Sequence, residues 1–252
     1  GCPVRSIPNA ARAVPIQPPS LRSISVCVES ALNPAGYERL QSQVIPGYGS
    51  LARLAVALLA ASPAASAPGG AVLVAGCGTG AELVEAVAQR PDWQLTAIDP
   101  SQEMLEESRQ RLGERASIDW RQTTAEALLD QAGMAGRFSG ALSVLVLQSL
   151  PDDGSKLAFL TALARCLQPG AQLVLVDLMQ ASLPSLEAQI DAAWLGFQRA
   201  SGLDGDQASP GQGLYPIGLA RLTSLVNAAG FGDPARVFQA LGFEGFLLQR
   251  RA

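Results

Sequence analysis

The stretch "VLVAGCGTGAELVEA", residues 72–86, constrains the chain more than any other. A β-branched apolar run breaks into Gly76, Gly78 and Gly80 and passes at once into a helical pattern. The glycines let the backbone approach a ligand and the following helix pack tightly on the strand it leaves. Such a strand must also be paired, and the sequence supplies the partners. "QLTAID" reads as a strand, "SQEMLEESRQRL" as a helix, "SIDWRQT" and "FSGALSVLVL" as strands, "SKLAFLTALARCL" as a helix and "QLVLVDL" as a strand. Strands alternating with helices of this length imply a parallel sheet covered on both faces. Near the end, "LARLTSLVNAAG" predicts a helix closed by Gly230, and "ARVFQALGFEGFLLQR" predicts two strands meeting at a turn. The expected fold is α/β: a Rossmann-like, doubly wound, mostly parallel seven-stranded sheet with an antiparallel C-terminal hairpin.

At 252 residues, 48% of them hydrophobic, the chain is long enough for one well-buried core and short for two. Residues 1–35 begin with Pro3, Pro8, Pro15, Pro18 and Pro19 and little periodicity, which suggests an extended arm. Such an arm needs a surface to be ordered, so it is a candidate homodimer contact. A single domain is expected over residues 36–252, opening with two helices around residues 37–43 and 50–61 that form a lid, residues 36–65. The formal charge of -4, with no basic cluster, argues against nucleic acid as a partner. The longest apolar run, "LARLAVALLAA", stops at Ser62 and Pro63, well short of a membrane span. The expected location is the cytoplasm. Four cysteines without metal-ligand spacing fit reduced thiols there. There is no histidine, so any catalysis does without the commonest general base and metal ligand.

The second strand ends in Asp99, about 20 residues beyond the glycines. At that position a carboxylate can accept hydrogen bonds from two ribose hydroxyls. Taken singly, the glycines could be a tight turn and Asp99 a helix cap. In the order strand, turn, helix, strand, acid, they point to a nucleoside. The further glycine of a nicotinamide fingerprint is absent, since Glu82 and Leu83 stand there. That disfavours a pyrophosphate.

With these residues in view, the sequence resembles the class I S-adenosylmethionine-dependent methyltransferases. "AGCGTG" is similar to their glycine motif, "IDPSQEML" to the ribose-binding acid followed by a Met that lies against adenine, and "LQPGAQLVLVD" to the turn before strand five. A narrower resemblance, carried by "VIPGY", "LQSL", "GFQRASG", "NAAGF" and "VFQALGFEGFLL", is to the carboxy-S-adenosylmethionine synthase branch, whose product modifies the wobble uridine of tRNA. The resemblance implies S-adenosylmethionine as cofactor. It places Tyr48, Gly76, Cys77, Gly78, Gly80, Asp99, Pro100, Thr124, Ala125 and Val144 against it, with Met104 added from the wider family. Several positions depart from the pattern. Val74 stands where an acid usually precedes the glycine turn, Thr124 where an Asp often reads adenine, and Val144 where an Asn usually flanks the methionine tail. The arginine that clamps the extra carboxylate in the synthase falls on or near Gln212.

Methyl transfer from a sulfonium is an in-line displacement that neutralises charge, so positioning and water exclusion matter more than acid-base work. For a hydroxyl acceptor the candidate bases are Asp177 at the end of strand five, Tyr215 and Glu126. Asp177 could equally cap a helix, and Tyr215, like Trp194, could be core. Trp194 could wall an acceptor pocket, Arg199 could hold a carboxylate, and Gln148 and Ser149 follow strand four, where many relatives face their substrate. The leading expectation is a methyltransferase acting on a small molecule. A second is an enzyme that cyclises S-adenosylmethionine on its own amine, giving azetidine-2-carboxylate and methylthioadenosine. Val74 and Val144 make this reasonable, because apolar surroundings favour the neutral amine. A third is a catalytically silent cofactor-binding subunit.

Overall fold

The computed structural model describes residues 34–114, 117–203 and 213–252. Two helices come first, α1 (Pro34–Val44) and α2 (Tyr48–Ala60), joined at a 92° bend. The alternating part follows: β1 (Ala71–Ala75), α3 (Ala81–Gln89), β2 (Gln94–Asp99), α4 (Gln102–Leu112), β3 (Ile118–Gln122), α5 (Ala125–Leu129), β4 (Phe138–Val144), α6 (Ser155–Cys166) and β5 (Leu167–Leu178). The chain closes with α7 (Glu187–Ala200), α8 (Leu219–Ala229), β6 (Ala235–Ala240) and β7 (Phe243–Gln249). The strands form one seven-stranded sheet in the order β3-β2-β1-β4-β5-β7-β6. All pairings are parallel except those of β7, which runs antiparallel to both β5 and β6.

The two-residue period of the strands decides which helices cover which face. Val72 and Val74 of β1, Ala97 of β2, Leu142 of β4 and Val176 of β5 pack with Leu51, Val56 and Leu59 of α2, Leu83 of α3 and Leu105 of α4. Leu73, Ile98, Ala141 and Leu175 point the other way, into α5, α6 and α8. Helix α2 belongs to the core: its buried residues Leu51, Ala55, Val56 and Leu59 recur at helical spacing, and Leu59 lies over Gly140, where a Cβ would come within 2.8 Å of it. Burying such a side chain contributes about 1.5–3 kcal/mol, so the lid helix is also part of the fold's stability. Among the described residues no single helix is long and apolar enough to cross a membrane.

The structure departs from the sequence pattern at two strand ends and adds one helix. Strand four stops at Val144, because Leu145 takes φ 62°, a left-handed conformation costly for a branched side chain, and a 3-10 turn follows at Leu147–Ser149. Strand five starts at Leu167, ahead of the turn expected at "QPG"; Gly170, at φ 80°, keeps pairing by donating its amide to the Arg250 carbonyl. Helix α7 was not anticipated, since its buried face amounts to Trp194 and Gln198. The C-terminal hairpin and Gly230, at φ 112° after α8, are as expected. Of the expected arm, residues 1–33 lie outside the described residues, as does Gln212, while residues 34 and 35 already belong to α1.

Candidate cofactor site

The glycine turn is held to the second strand by its own backbone. Gly76 and Cys77 both donate their amides to the Ile98 carbonyl, at 2.8 and 3.0 Å, and Gly80 donates to Cys77 O at 2.9 Å. Gly76 at φ 72° and Gly80 at φ 89° adopt backbones that side chains rarely take, and both lack room as well. A Cβ on Gly76 would meet Val146 Cγ2 at 2.4 Å, and one on Gly80 would meet Ser108 Oγ at 3.0 Å. Ser108 also donates to Gly78 O at 2.6 Å, fixing α4 to the turn.

Asp99 completes the unit. Its Oδ2 accepts from the Gly78 amide at 3.1 Å and its Oδ1 from the Ser101 amide at 2.9 Å. One lone pair on each oxygen is left over, enough for the two hydroxyls of a ribose. Burial raises the Asp99 pKa from the usual carboxylate value, opposed by those two amides. Around this unit, Met104 is half-buried at the start of α4, Ala125 is buried, and Pro100 is exposed at the end of β2. Thr124 uses its hydroxyl as the cap of α5, accepting from Ala127 N at 3.2 Å. Val144 is half-buried at the end of β4, and Cys77 is buried, its thiol pushed up to about 12 chiefly by that burial.

Tyr48 sits where α1 and α2 meet. Its ring packs with Ile45, Leu178, Trp194 and Phe243. Its hydroxyl donates to Glu38 Oε1 at 2.9 Å. Glu38 was not a sequence candidate, and the structure makes it a hub. The same Oε1 receives Arg111 Nη1 from the end of α4 at 2.9 Å and lies 3.5 Å from the Thr79 hydroxyl in the glycine turn. Glu82, in the first turn of α3, has its pKa pushed up to about 7 by burial first and by Glu38 next among the raising causes, with Arg111 pulling it down. Burial likewise raises Tyr37, which feels Glu82, Glu38 and Asp99. Only the chain's path could have revealed this grouping: Glu38 precedes Thr79 by 41 positions and Arg111 by 73.

The residues proposed for the acceptor are placed less uniformly. Asp177 is 2% exposed; its Oδ1 accepts from the Gln148 amide at 2.9 Å while Oδ2 is buried without a partner. Burial pushes its pKa up to about 7, against the pull of the Gln148 amide and of Lys156. Lys156, itself buried, donates to Leu147 O at 2.6 Å, so acid and lysine together support the 3-10 turn after β4. Gln148 spends its side-chain oxygen on the Leu178 amide at 2.7 Å, and its carbonyl accepts from the Tyr215 amide. Trp194 is buried, edge-on to Phe243 at 5.5 Å, and its indole donates to Val44 O at 2.7 Å, tying α7 to the lid. Tyr215 is 49% exposed and Arg199 is exposed in the last turn of α7. The structure thus gathers Tyr48 and Trp194 at the carboxyl end of β5, keeps Asp177 beneath the turn and leaves Tyr215 and Arg199 facing solvent.

The sheet order, with one antiparallel strand inserted between β5 and β6, and the glycine turn bonded to the acid ending β2 can now be set beside known proteins. Residues 72–170 match the family model described as a methyltransferase domain. The chain has the fold of the class I S-adenosylmethionine-dependent methyltransferases. Solved structures with this fold include a protein of Bordetella parapertussis, 19% identical over 82% of this chain and 70% of that one, with a TM-score of 0.62. Another is the Burkholderia thailandensis 1,6-didemethyltoxoflavin-N1-methyltransferase, bound to 1,6-didemethyltoxoflavin and S-adenosylhomocysteine, 19% identical over 95% and 94% of the two chains at a TM-score of 0.56. A third is the (4+2)-cyclase SpnF, 15% identical over 81% and 82% at 0.60. No curated protein sequence matches the chain.

Proposed function

We propose that the protein is an S-adenosylmethionine-dependent methyltransferase acting on a small molecule. The observation that carries this reading is the unit made by Gly76, Gly78 and Asp99: a turn with three glycines in five residues beside a buried carboxylate that keeps an acceptor site on each oxygen. Asp99 would hold the ribose, Met104 and Ala125 would flank the adenine, and Tyr48 on the lid would exclude water from the sulfonium end. The cofactor supplies a methyl group on a sulfonium, and the chain's task is to align an acceptor with it.

Ile45, Leu178, Trp194 and Phe243 form a buried apolar cluster against which Tyr48 packs, and it backs the carboxyl ends of the strands, where ligands of open α/β sheets bind. A backing of that kind suits a small, uncharged acceptor. Asp177 is enclosed beneath its turn, so a base at the acceptor is not the part it plays; an acceptor that reacts without a strong base, such as a thiol or an amine, fits best. The cyclase reading loses ground on one observation. Although β1 lacks its acid at Val74, Glu38 brings a carboxylate to the same turn, 3.5 Å from the Thr79 hydroxyl, which favours a protonated cofactor amine over the neutral nucleophile that cyclisation needs. The likeness to SpnF is a reminder that one fold hosts several chemistries. Neither likeness nor domain match favours the carboxy-S-adenosylmethionine synthase branch over others.

Two measurements test the proposal. Calorimetric titration with S-adenosylhomocysteine should give a dissociation constant in the micromolar range or tighter, about -8 kcal/mol. Incubation with S-adenosylmethionine alone, followed by mass spectrometry, should yield no methylthioadenosine. Absence of binding defeats the cofactor assignment, and steady methylthioadenosine release defeats methyl transfer in favour of cyclisation.

A further inference from the structure

Three donors converge on one oxygen of Glu38. Tyr48 Oη and Arg111 Nη1 each lie 2.9 Å from Oε1, and Thr79 Oγ1 lies 3.5 Å from it. Among the described residues Oε2 takes part in no hydrogen bond. The carboxylate is therefore oriented by α2, α4 and the glycine turn at once, all through Oε1, which leaves its second oxygen as an acceptor among the described residues. Its place matters as much as its orientation: Thr79 lies between Gly78 and Gly80, in the segment that a nucleoside's tail must pass. Val74, 2% exposed and packed with Val72, Cys77 and Leu83, offers nothing polar there.

We propose that Glu38 Oε2 receives the α-ammonium of the cofactor's amino-acid tail, replacing from the lid helix the acid that β1 lacks. The inference rests on the cofactor reading above and adds the residue that discriminates between tailed and untailed nucleosides. Its physical basis is a charge-assisted hydrogen bond to an acceptor that needs no reorganisation, because Tyr48 and Arg111 already fix the carboxylate. A consequence is coupling. Glu38 is on α1, so an ammonium bound to it adds a bond between the lid and the glycine turn, and cofactor occupancy and lid closure stabilise one another.

The test compares two ligands on two proteins by calorimetry: S-adenosylhomocysteine, and its deamino analogue, which keeps the adenosine, the thioether and the carboxylate. The wild-type protein should prefer the amine-bearing ligand by about tenfold or more, the range expected of a charged hydrogen bond at a half-buried site. In Glu38→Gln the affinity for S-adenosylhomocysteine should fall by that factor, the deamino ligand should bind as before, and the preference should vanish. Glu38→Asp, which keeps the charge but shortens the reach, should retain part of it, and serves if the glutamine variant does not fold. A preference surviving in Glu38→Gln, or an equal loss for both ligands, overturns the proposal while leaving the cofactor reading in place. A wild-type protein that binds neither ligand removes both.

Discussion

The Cγ2 methyl of Val146 occupies the space that a side chain on Gly76 would need, 2.4 Å from an ideal Cβ. Val146 follows the left-handed residue Leu145, so the irregular end of β4 presses directly on the turn at the end of β1. Gly78 offers the contrast, since its φ is 52° and no atom lies within 4 Å of a Cβ there. Both Ala substitutions pay for a left-handed backbone, about 1 kcal/mol, but only Gly76→Ala must also displace a packed neighbour, which costs about 1–3 kcal/mol more. Urea denaturation should rank Gly76→Ala well below Gly78→Ala. Equal losses would show that Val146 yields freely.

Asp99 is the next point of leverage. Asp99→Ala leaves the Gly78 and Ser101 amides without their acceptor and removes both ribose sites. Affinity for S-adenosylhomocysteine should drop by roughly one to two orders of magnitude, from hydroxyls left unpaired. Asp99→Asn keeps one carbonyl oxygen and should lose less. A calorimetric titration of Asp99→Ala that returned the wild-type constant would defeat the ribose assignment.

These two units were legible in the sequence because they are local. The apolar run, the glycines and the acid at the end of the following strand lie within 28 residues, and β1 and β2 are buried on both faces over four and five consecutive positions, so each announces itself as an unbroken run. Helix α7 escaped notice for the opposite reason: most of its surface is exposed, so no stripe marks it. The start of β5 at Leu167 rests on its pairing with Phe138 of β4, across a register shift, and on the backbone of Arg250, at the far end of the chain, which holds Gly170 and Ala171. Gln148 looked like a substrate contact after β4, yet its side chain is spent on Leu178 N, a partner 30 residues away. Glu38 gave only a charge beside a tyrosine in an unremarkable helix, and its meaning came from three elements folding onto it.

Two buried acids set the expected pH dependence. The pKa values of Asp177 and Glu82 are both pushed up to about 7 by burial, from ordinary values of 3.8 and 4.5. A folded state that holds protons the unfolded chain releases is most favoured on the acid side. The stability from these groups is full below about pH 4 and is lost as pH rises through about 7. Asp92 and Asp153, whose values are lowered by hydrogen bonds, act in the opposite sense, and their contribution is lost as pH falls below the ordinary carboxylate range. Asp177→Asn keeps an oxygen for the Gln148 amide and should flatten the decline between pH 5 and 8 by up to about 2–3 kcal/mol. Thermal melts across that interval check it; an unchanged slope would show that Lys156 keeps Asp177 ionised throughout.

Lys156 invites a complementary test. It is 1% exposed, burial lowers its pKa, and Asp177 acts to restore it. Replacing it with Met leaves Leu147 O without its donor and Asp177 without a nearby cation, at an expected cost of about 1–3 kcal/mol near neutral pH. The double variant Lys156→Met, Asp177→Asn removes both charges and should recover the part of that loss due to Asp177, leaving the cost of the unmet Leu147 carbonyl. Chemical denaturation of the two single variants and the double closes the cycle, and additive losses would mean the two groups do not act as a pair.

Tyr48 separates packing from polarity in the lid. Tyr48→Phe keeps the ring among Ile45, Leu178, Trp194 and Phe243 and deletes only the bond to Glu38 Oε1, whereas Tyr48→Ala also opens a cavity in that cluster. The alanine variant should lose about 2–3 kcal/mol of stability, less than a fully buried aromatic would, together with cofactor affinity and turnover. The phenylalanine variant should melt within a few degrees of wild type, since one half-buried hydrogen bond is worth about 1 kcal/mol. Its effect should appear in the ligand instead: with one of the donors that orient Glu38 gone, S-adenosylhomocysteine should bind several-fold more weakly while an untailed nucleoside such as methylthioadenosine is indifferent. If Tyr48→Phe weakened both ligands alike, the hydroxyl would be serving lid closure in general and not the carboxylate beneath it.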